Sequence, residues 1–228
     1  MLRVGTSIYE YYLRDWYGVD PADGAALYVA SPEAIEAGGD DLRTVDGTVV
    51  TTNHLNANES FHGTALPDLY GGITNTFSYK GFSIRALISY QIGGKTYDGQ
   101  YASLMHAGTS AGRSMHKDLL KRWQQPGDVT NVPRLDYNRA SEFNAGNNSR
   151  WLVTSSYLSL RNLNISYSLP PQLTNQIGLS NATIFANGEN LFQLTARPGL
   201  EANQQFNGTT LPRYQSSRVL TLGLNLTF

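Results

Sequence analysis

Few residues of this chain have the types and spacings that bond chemistry needs. The four histidines, His54, His62, His106 and His116, form no i, i+4 pair of the kind that puts two ligands on one helix face, and all four fall in segments read as loops. They are read as solvated side chains, and no metal site is assigned. Asp20, Asp23 and Gly24 echo a calcium loop, but the ladder of further oxygen ligands and the closing Glu are missing, so Asp20-Pro21 followed by Asp23-Gly24 is read as turn chemistry. The acids Glu33, Glu36, Asp40 and Asp41 lie near one another with nothing to fix the separation that paired catalytic carboxylates require. There is no Gly-x-Ser-x-Gly elbow, phosphate loop or dinucleotide fingerprint. No catalytic residue and no cofactor is assigned, and the chain is not read as an enzyme. The remaining chemistry is recognition. Trp16, Trp123 and Trp151 are candidates for stacking on sugar rings, with packing as the competing role.

Composition narrows the class. The chain has 228 residues, of which only 15% are charged and 40% are hydrophobic, with 14 Tyr and 22 Gly. The charged share is well below the usual quarter, which suits a β-protein whose polar surface is built from Ser, Thr and Asn. A net charge of −1 gives no electrostatic case for nucleic acid. The absence of Cys excludes disulfides and thiolate metal sites. No run of 18 apolar residues predicts a membrane helix, which leaves strands as the means of crossing a bilayer. The first residues carry no charged leader before an apolar core, so the chain reads as part of something longer.

The strongest pattern is at the C-terminal end. Leu220, Leu222, Leu224, Leu226 and Phe228 alternate with Thr221, Gly223, Asn225 and Thr227. A strand places these two sets on opposite faces. The eleven residues 218–228, at about 3.3 Å each and tilted roughly 45°, cross about 25 Å, the height of the apolar band of an outer-membrane barrel. Phe228, with Leu226 behind it, is read as an assembly signal. Two further strands, 70–79 and 82–91, are joined by Lys80-Gly81, and others are predicted over 157–168 and 182–194. Less regular strands are expected over 4–13 and 26–30, with a small hairpin around 47–50 in an otherwise irregular stretch. Residues 93–149 carry no strand pattern. Met115, Leu119, Leu120 and Trp123 predict a helix over 112–123. A structureless insertion of this size is foreign to a compact soluble domain and ordinary in a large barrel.

The fold predicted is therefore all-β: an antiparallel transmembrane β-barrel segment of about six or seven strands, with long extracellular loops and one short helix. The residues expected to face lipid are Ile73, Phe77, Phe82, Ile84, Ile88, Leu163, Ile165, Leu220, Leu222 and Leu224. The long loops are where partner and substrate residues are expected: Tyr97, Tyr101, Trp123, Arg197, Arg213 and Tyr214.

Several words of the sequence, in order, resemble the C-terminal end of the SusC/RagA family of TonB-linked outer-membrane transporters. They are Trp16-Tyr17-Gly18-Val19-Asp20-Pro21, Pro67-Asp68-Leu69-Tyr70-Gly71-Gly72, Phe77-Ser78-Tyr79-Lys80-Gly81-Phe82, Arg122-Trp123-Gln124-Gln125-Pro126-Gly127-Asp128-Val129-Thr130, Ser156-Tyr157-Leu158-Ser159-Leu160, Asn187-Gly188-Glu189-Asn190-Leu191-Phe192 and Leu222-Gly223-Leu224-Asn225-Leu226-Thr227-Phe228. The resemblance implies a plugged barrel of about 22 strands, of which residues 1–228 are the C-terminal portion, the plug domain and the segment that engages TonB lying outside them. It implies location in the outer membrane of a Gram-negative bacterium and contact with outer-membrane lipid. It also implies a SusD-like surface lipoprotein as partner, the TonB complex as a second, and a glycan or peptide substrate. The competing reading is a soluble all-β carbohydrate-binding or adhesive domain, and a third is an outer-membrane enzyme, for which no constellation is visible.

Overall fold

The computed structural model describes residues 4–110, 112–201, 208–211 and 214–228. The chain divides into two compact units. One takes in the chain up to Ala65 together with Lys95–Val153 and the segment around Gly208; the other is Leu66–Gly94 and most of the chain from Thr154 onward.

The second unit is one antiparallel sheet of long strands: β7 (Leu69–Tyr79), β8 (Phe82–Ile92), β11 (Tyr157–Ser168), β12 (Asn181–Leu194) and β13 (Val219–Thr227), in the order β13-β12-β11-β8-β7. Neighbours in space are neighbours in sequence, with the first unit's chain inserted between β8 and β11. The β7–β8 reversal is a two-residue turn with Lys80 at φ 45° and Gly81 at φ 84°. Two left-handed residues make the turn whose twist matches its flanking strands, which is why a Gly is needed there. The only α-helix in this unit among the described residues is the single turn α4 (Pro171–Thr174), continued by a 3-10 turn at Asn175–Ile177, between β11 and β12.

The register sorts side chains as alternation requires. Ile73 lies opposite Ile88 and Phe77 opposite Ile84. Ile165 lies between Ile84 and Ala186, and Leu163 between Ala86 and Gly188. Leu224 faces Ile184 and Leu222 faces Ala186. Across five strands this face is apolar apart from Asn75, while the opposite face carries mostly Ser, Thr, Asn and Gln. One irregularity interrupts the ladder. Between two shared rows, Ile88 to Ala86 is two residues on β8, Leu160 to Leu163 is three on β11, and Phe192 to Gly188 is four on β12. Extra residues of this kind form bulges, which bend a strand and re-aim side chains.

The first unit is where the sequence reading needs most correction. It contains β1 (Glu10–Arg14), β2 (Trp16–Val19), β3 (Ala26–Val29), α1 (Pro32–Ala37), β4 (Leu42–Val45), β5 (Thr48–Thr51) and β6 (Glu59–Thr64); β3 falls within the strand expected over 26–30, whereas β2, α1 and β6 form where no element was expected. The inserted stretch adds β9 (Lys95–Tyr97), α2 (Gly99–Leu104), α3 (Ala140–Phe143) and β10 (Leu152–Thr154). The sheets here are small: β2-β3-β5-β4, β1-β6 and β9-β10. The expected strand over 4–13 is reduced to β1, while the hairpin near 47–50 is present as β4–β5. In place of one short helix there are four among the described residues. The helix predicted over 112–123 shrinks to a 3-10 turn, Lys117–Lys121. Its flanks are held by distant backbone: the His116 N–H donates to Leu104 O at 2.9 Å, and the Trp123 N–H to Val132 O at 2.9 Å. Of the residues at helical spacing, Leu119 is buried whereas Met115 and Leu120 are exposed, so no apolar helical stripe is used. Five strands share the long sheet, fewer than the six or seven expected, because the early strands belong to the other unit.

Two small cores hold the first unit together. Ala25, Ala26, Tyr28, Ala57 and Phe143 form one, with Trp16 against it. Met105, Leu119, Val132 and Trp151 form the other, with Tyr97 and Tyr101 against it. Each joins residues far apart in sequence. No helix among the described residues is long and apolar enough to cross a membrane, which leaves strands untested.

Candidate functional site

The surface of the long sheet is the first candidate. Its apolar side chains are not covered: Leu222 is 85% exposed, Leu220 74% and Ile73 58%. Phe77, Phe82, Ile165 and Leu224 also count among the exposed large apolar residues, and Ile84 and Ile88 lie half-buried in the same rows. All ten residues of the expected lipid-facing set thus share one face. Leu226 continues it opposite Ala182, and Phe228, just past β13, is almost fully exposed. On the polar face Phe185 lies opposite Gly223, with its ring over the glycine. A Cβ added at Gly223 would come within 2.2 Å of that ring.

The loop residues expected to meet partners are scattered. Tyr97 and Tyr101 come together around the Trp151 core. The Tyr97 hydroxyl accepts the Asn147 N–H at 3.0 Å, and burial pushes this phenol above its ordinary pKa. The Tyr101 hydroxyl donates to Asp118 at 3.0 Å, and its ring meets Trp151 and His116 edge-on at 5.8 and 4.8 Å. Lys121 and Tyr101 together hold the Asp118 carboxyl below the usual range. Trp123 is placed apart from these: its ring packs over Gly24 and its indole N–H donates to Pro21 O at 3.0 Å. Arg197 lies in the second unit, where its guanidinium donates to Pro198 O at 3.4 Å. Tyr214, also there, is fully exposed. Arg213 lies outside the described residues.

Trp151 cannot offer a face to a sugar as the sequence allowed. It is 1% exposed, its N–H donates to Ala145 O at 2.9 Å, and the Arg150 guanidinium lies 4.4 Å from its ring. The same guanidinium lies 4.7 Å from Trp16, which meets Tyr28 edge-on at 5.3 Å. Burial pulls the Arg150 pKa down to about 10, so it stays charged at neutral pH and is held chiefly by the two indole faces.

The acids have structural partners. Asp20 and Asp23 both pair with Arg43, Asp23 through both guanidinium nitrogens at 3.0 and 2.8 Å. This bonding holds Asp23 down to about pKa 2. Asp41 accepts Thr51 Oγ1 and, at 2.9 Å, Asn56 Nδ2, which lower its pKa. His62, expected in a loop, sits on β6 with its Nε2 2.7 Å from Asp15. His116 Nδ1 accepts the Asp118 N–H at 3.1 Å. Among the described residues no group of three or more His, Asp or Glu is arranged to hold a metal ion.

The sequence reading missed the cleft on the polar face where the ladder bulges. It has a volume of about 300 Å³ and is lined by Ser159, Arg161, Gln193 and Arg218, among others. Arg161 Nε donates to Ser89 Oγ at 3.1 Å, which places the guanidinium on that face. The signal was present: the apolar alternation of Leu158 and Leu160 slips by one residue before resuming at Leu163, and Arg161 stands at the slip.

A sheet of 9- to 14-residue antiparallel strands with one continuous, uncovered apolar face has the pattern of a transmembrane β-barrel wall. Known proteins agree. No family model matches the chain. Among curated proteins it is similar to TonB-dependent receptor P39 of Formosa agariphila, at 29% identity over 174 residues covering 73% of this chain and 17% of the relative. It is similar to TonB-dependent receptor P3 of the same organism, at 26% over 243 residues, covering all of this chain and 23% of the relative. Among solved structures, the RagAB peptide transporter matches with a TM-score of 0.72 at 23% identity, covering 96% of this chain and 23% of that one. The RagAB peptide importer in its closed-closed state matches with a TM-score of 0.73 at 22% identity, covering 95% and 23%. The chain is thus similar to a part of TonB-dependent receptors of the SusC/RagA type. It spans about a fifth of the length of the curated relatives it matches.

Proposed function

We propose that this chain supplies part of the barrel wall and loops of an outer-membrane receptor that imports large nutrients, glycan or peptide, by TonB-dependent gating. The observation that carries the reading is the five-stranded apolar face. Side chains such as Leu222 and Ile73 would be costly to leave in water and are at no cost in lipid. The same face argues against a soluble carbohydrate-binding or adhesive domain, which would need a second layer to cover it. On this reading Ile73, Phe77, Phe82, Ile84, Ile88, Leu163, Ile165, Leu220, Leu222 and Leu224 face lipid, and Leu226 and Phe228 serve assembly. The polar face lines a lumen, and the sheet continues into a closed barrel of about 22 strands. Five strands leave two unpaired edges, which a membrane does not tolerate, so the wall must be completed by other strands. The first unit carries Tyr97, Tyr101 and Trp123, the second Arg197 and Tyr214, and a SusD-like lipoprotein docks on such loops. The TonB complex engages the receptor outside these 228 residues. No bond chemistry is involved.

The test is uptake by the producing bacterium. Wild type, a strain lacking the receptor and a strain lacking TonB are grown on oligosaccharides or oligopeptides as sole carbon source. Loss of growth on the same substrate in both mutants is the expected result. Growth equal to wild type on every substrate in the receptor-deleted strain would refute import.

A further inference from the structure

The bulge between β11 and β12 has a consequence for what is imported. Three groups that can donate to an anion converge on the cleft it opens. Among the described residues Arg161 makes one hydrogen bond, Nε to Ser89, which leaves its terminal nitrogens available there. Gln193 also lines the cleft; its Nε2 is buried and has no hydrogen-bond partner among the described residues. Arg218, at the foot of β13, lines the other side and makes no ion pair among the described residues. The one acid lining the cleft among the described residues, Glu201, already accepts the Ser216 N–H at 2.5 Å. Two cations against one engaged carboxylate leave the cleft positive.

A buried amide donor without a partner is destabilising, and two strands are locally lengthened to produce the opening. Neither feature stabilises the sheet by itself. Both are accounted for if the cleft receives an acceptor. An arginine presents a planar fork that matches a carboxylate bidentately, and a cleft of about 300 Å³ admits one such group with the residue that bears it.

We infer that this cleft binds a carboxylate of the transported nutrient, with Arg161 and Arg218 as its charged donors and Gln193 as its neutral one. The inference rests on the import reading above and narrows it: the preferred substrate is acidic, whether an acidic oligopeptide or an acidic oligosaccharide.

The experiment uses the full-length receptor purified in detergent. Fluorescence anisotropy measures binding of four labelled probes: hexaglutamate, hexaserine, a galacturonate hexamer and maltohexaose. At least one acidic probe should bind tenfold or more tighter than its neutral counterpart, and which one does so identifies the source. Arg161→Gln and Arg218→Gln should each reduce that preference at least fivefold, and Arg161→Lys, which keeps the charge but not the fork, should retain only part of it. Correct folding of each variant is checked by heat-modifiable gel mobility. Equal affinity for acidic and neutral probes, no binding of any probe, or an acidic preference untouched by both Gln variants would overturn the inference. The uptake test on the deletion strains is independent of these variants, so import can stand while the carboxylate site falls.

Discussion

Replacing Leu222 by Arg in the intact receptor asks directly which side of the sheet meets lipid. Leu222 is 85% exposed, with Leu220 and Leu224 beside it along the strand and Ala186 opposite. Leu220 to Leu226 covers six steps of about 3.3 Å, or roughly 14 Å of depth at a 45° tilt, more than half of an apolar band about 25 Å high. An arginine near the middle of that band costs about 2–4 kcal/mol, falling to about 0–1 near its edges. At about 3 kcal/mol the folded-to-unfolded ratio drops roughly a hundredfold. Thr221→Arg, one residue away on the opposite face, should cost less than about 1 kcal/mol because its side chain enters the polar lumen. The assay is urea unfolding of the receptor in phospholipid vesicles, followed by gel mobility, with outer-membrane display as the cellular counterpart. Leu226→Arg, near the end of β13, should fall between the two. Equal cost at Thr221 and Leu222 would refute the assignment of faces, whatever happens to uptake.

Other expectations follow from particular contacts. Gly223→Ser, which alternation alone makes mild, should cost about 1–3 kcal/mol as overpacking against the Phe185 ring; the double variant with Phe185→Ala should recover part of it, and additive losses would refute the contact. Phe143→Ala, at a fully buried site, should cost the first unit about 3–5 kcal/mol; limited proteolysis should then cut within 95–153 while the gel mobility of the barrel is unchanged, and no new cleavage would refute it. Asp23 has its folded pKa lowered to about 2, below an unfolded value near 3.9. Its pairing with Arg43 is therefore fully stabilising above about pH 4 and is lost as the pH falls through about 2. The shift is worth at most about 2.5 kcal/mol. Asp23 is more than a third exposed, so solvent screening leaves about 1. Hydrogen exchange of the 20–26 segment should rise about fivefold beyond the intrinsic trend across that window, and Arg43→Ala should abolish the dependence.

The two units differ in how far the sequence reveals them, and the cause is the range of the interactions. In the sheet each face is set by a residue's own parity, so Leu220, Leu222 and Leu224 announce their side without knowledge of any partner. The turn at Lys80-Gly81 is equally local. Parity also carried the one departure from regularity, the slip between Leu160 and Leu163, although the slip does not say that Arg161 and Gln193 will share a cleft with Arg218. In the first unit little is local beyond the β4–β5 hairpin. Phe143 packs with Ala25 and Tyr28, Arg150 lies between Trp16 and Trp151, and the backbone around His116 is held by Leu104 rather than by its own helix. Strands of three to six residues whose cores are assembled from segments a hundred positions apart leave no period to read. The same fact bears on function. Aromatic residues that the pattern offers as binding platforms, Trp151 and Tyr101 among them, are spent on packing where no periodic core exists, so recognition in this unit has to be sought on the surface that they support.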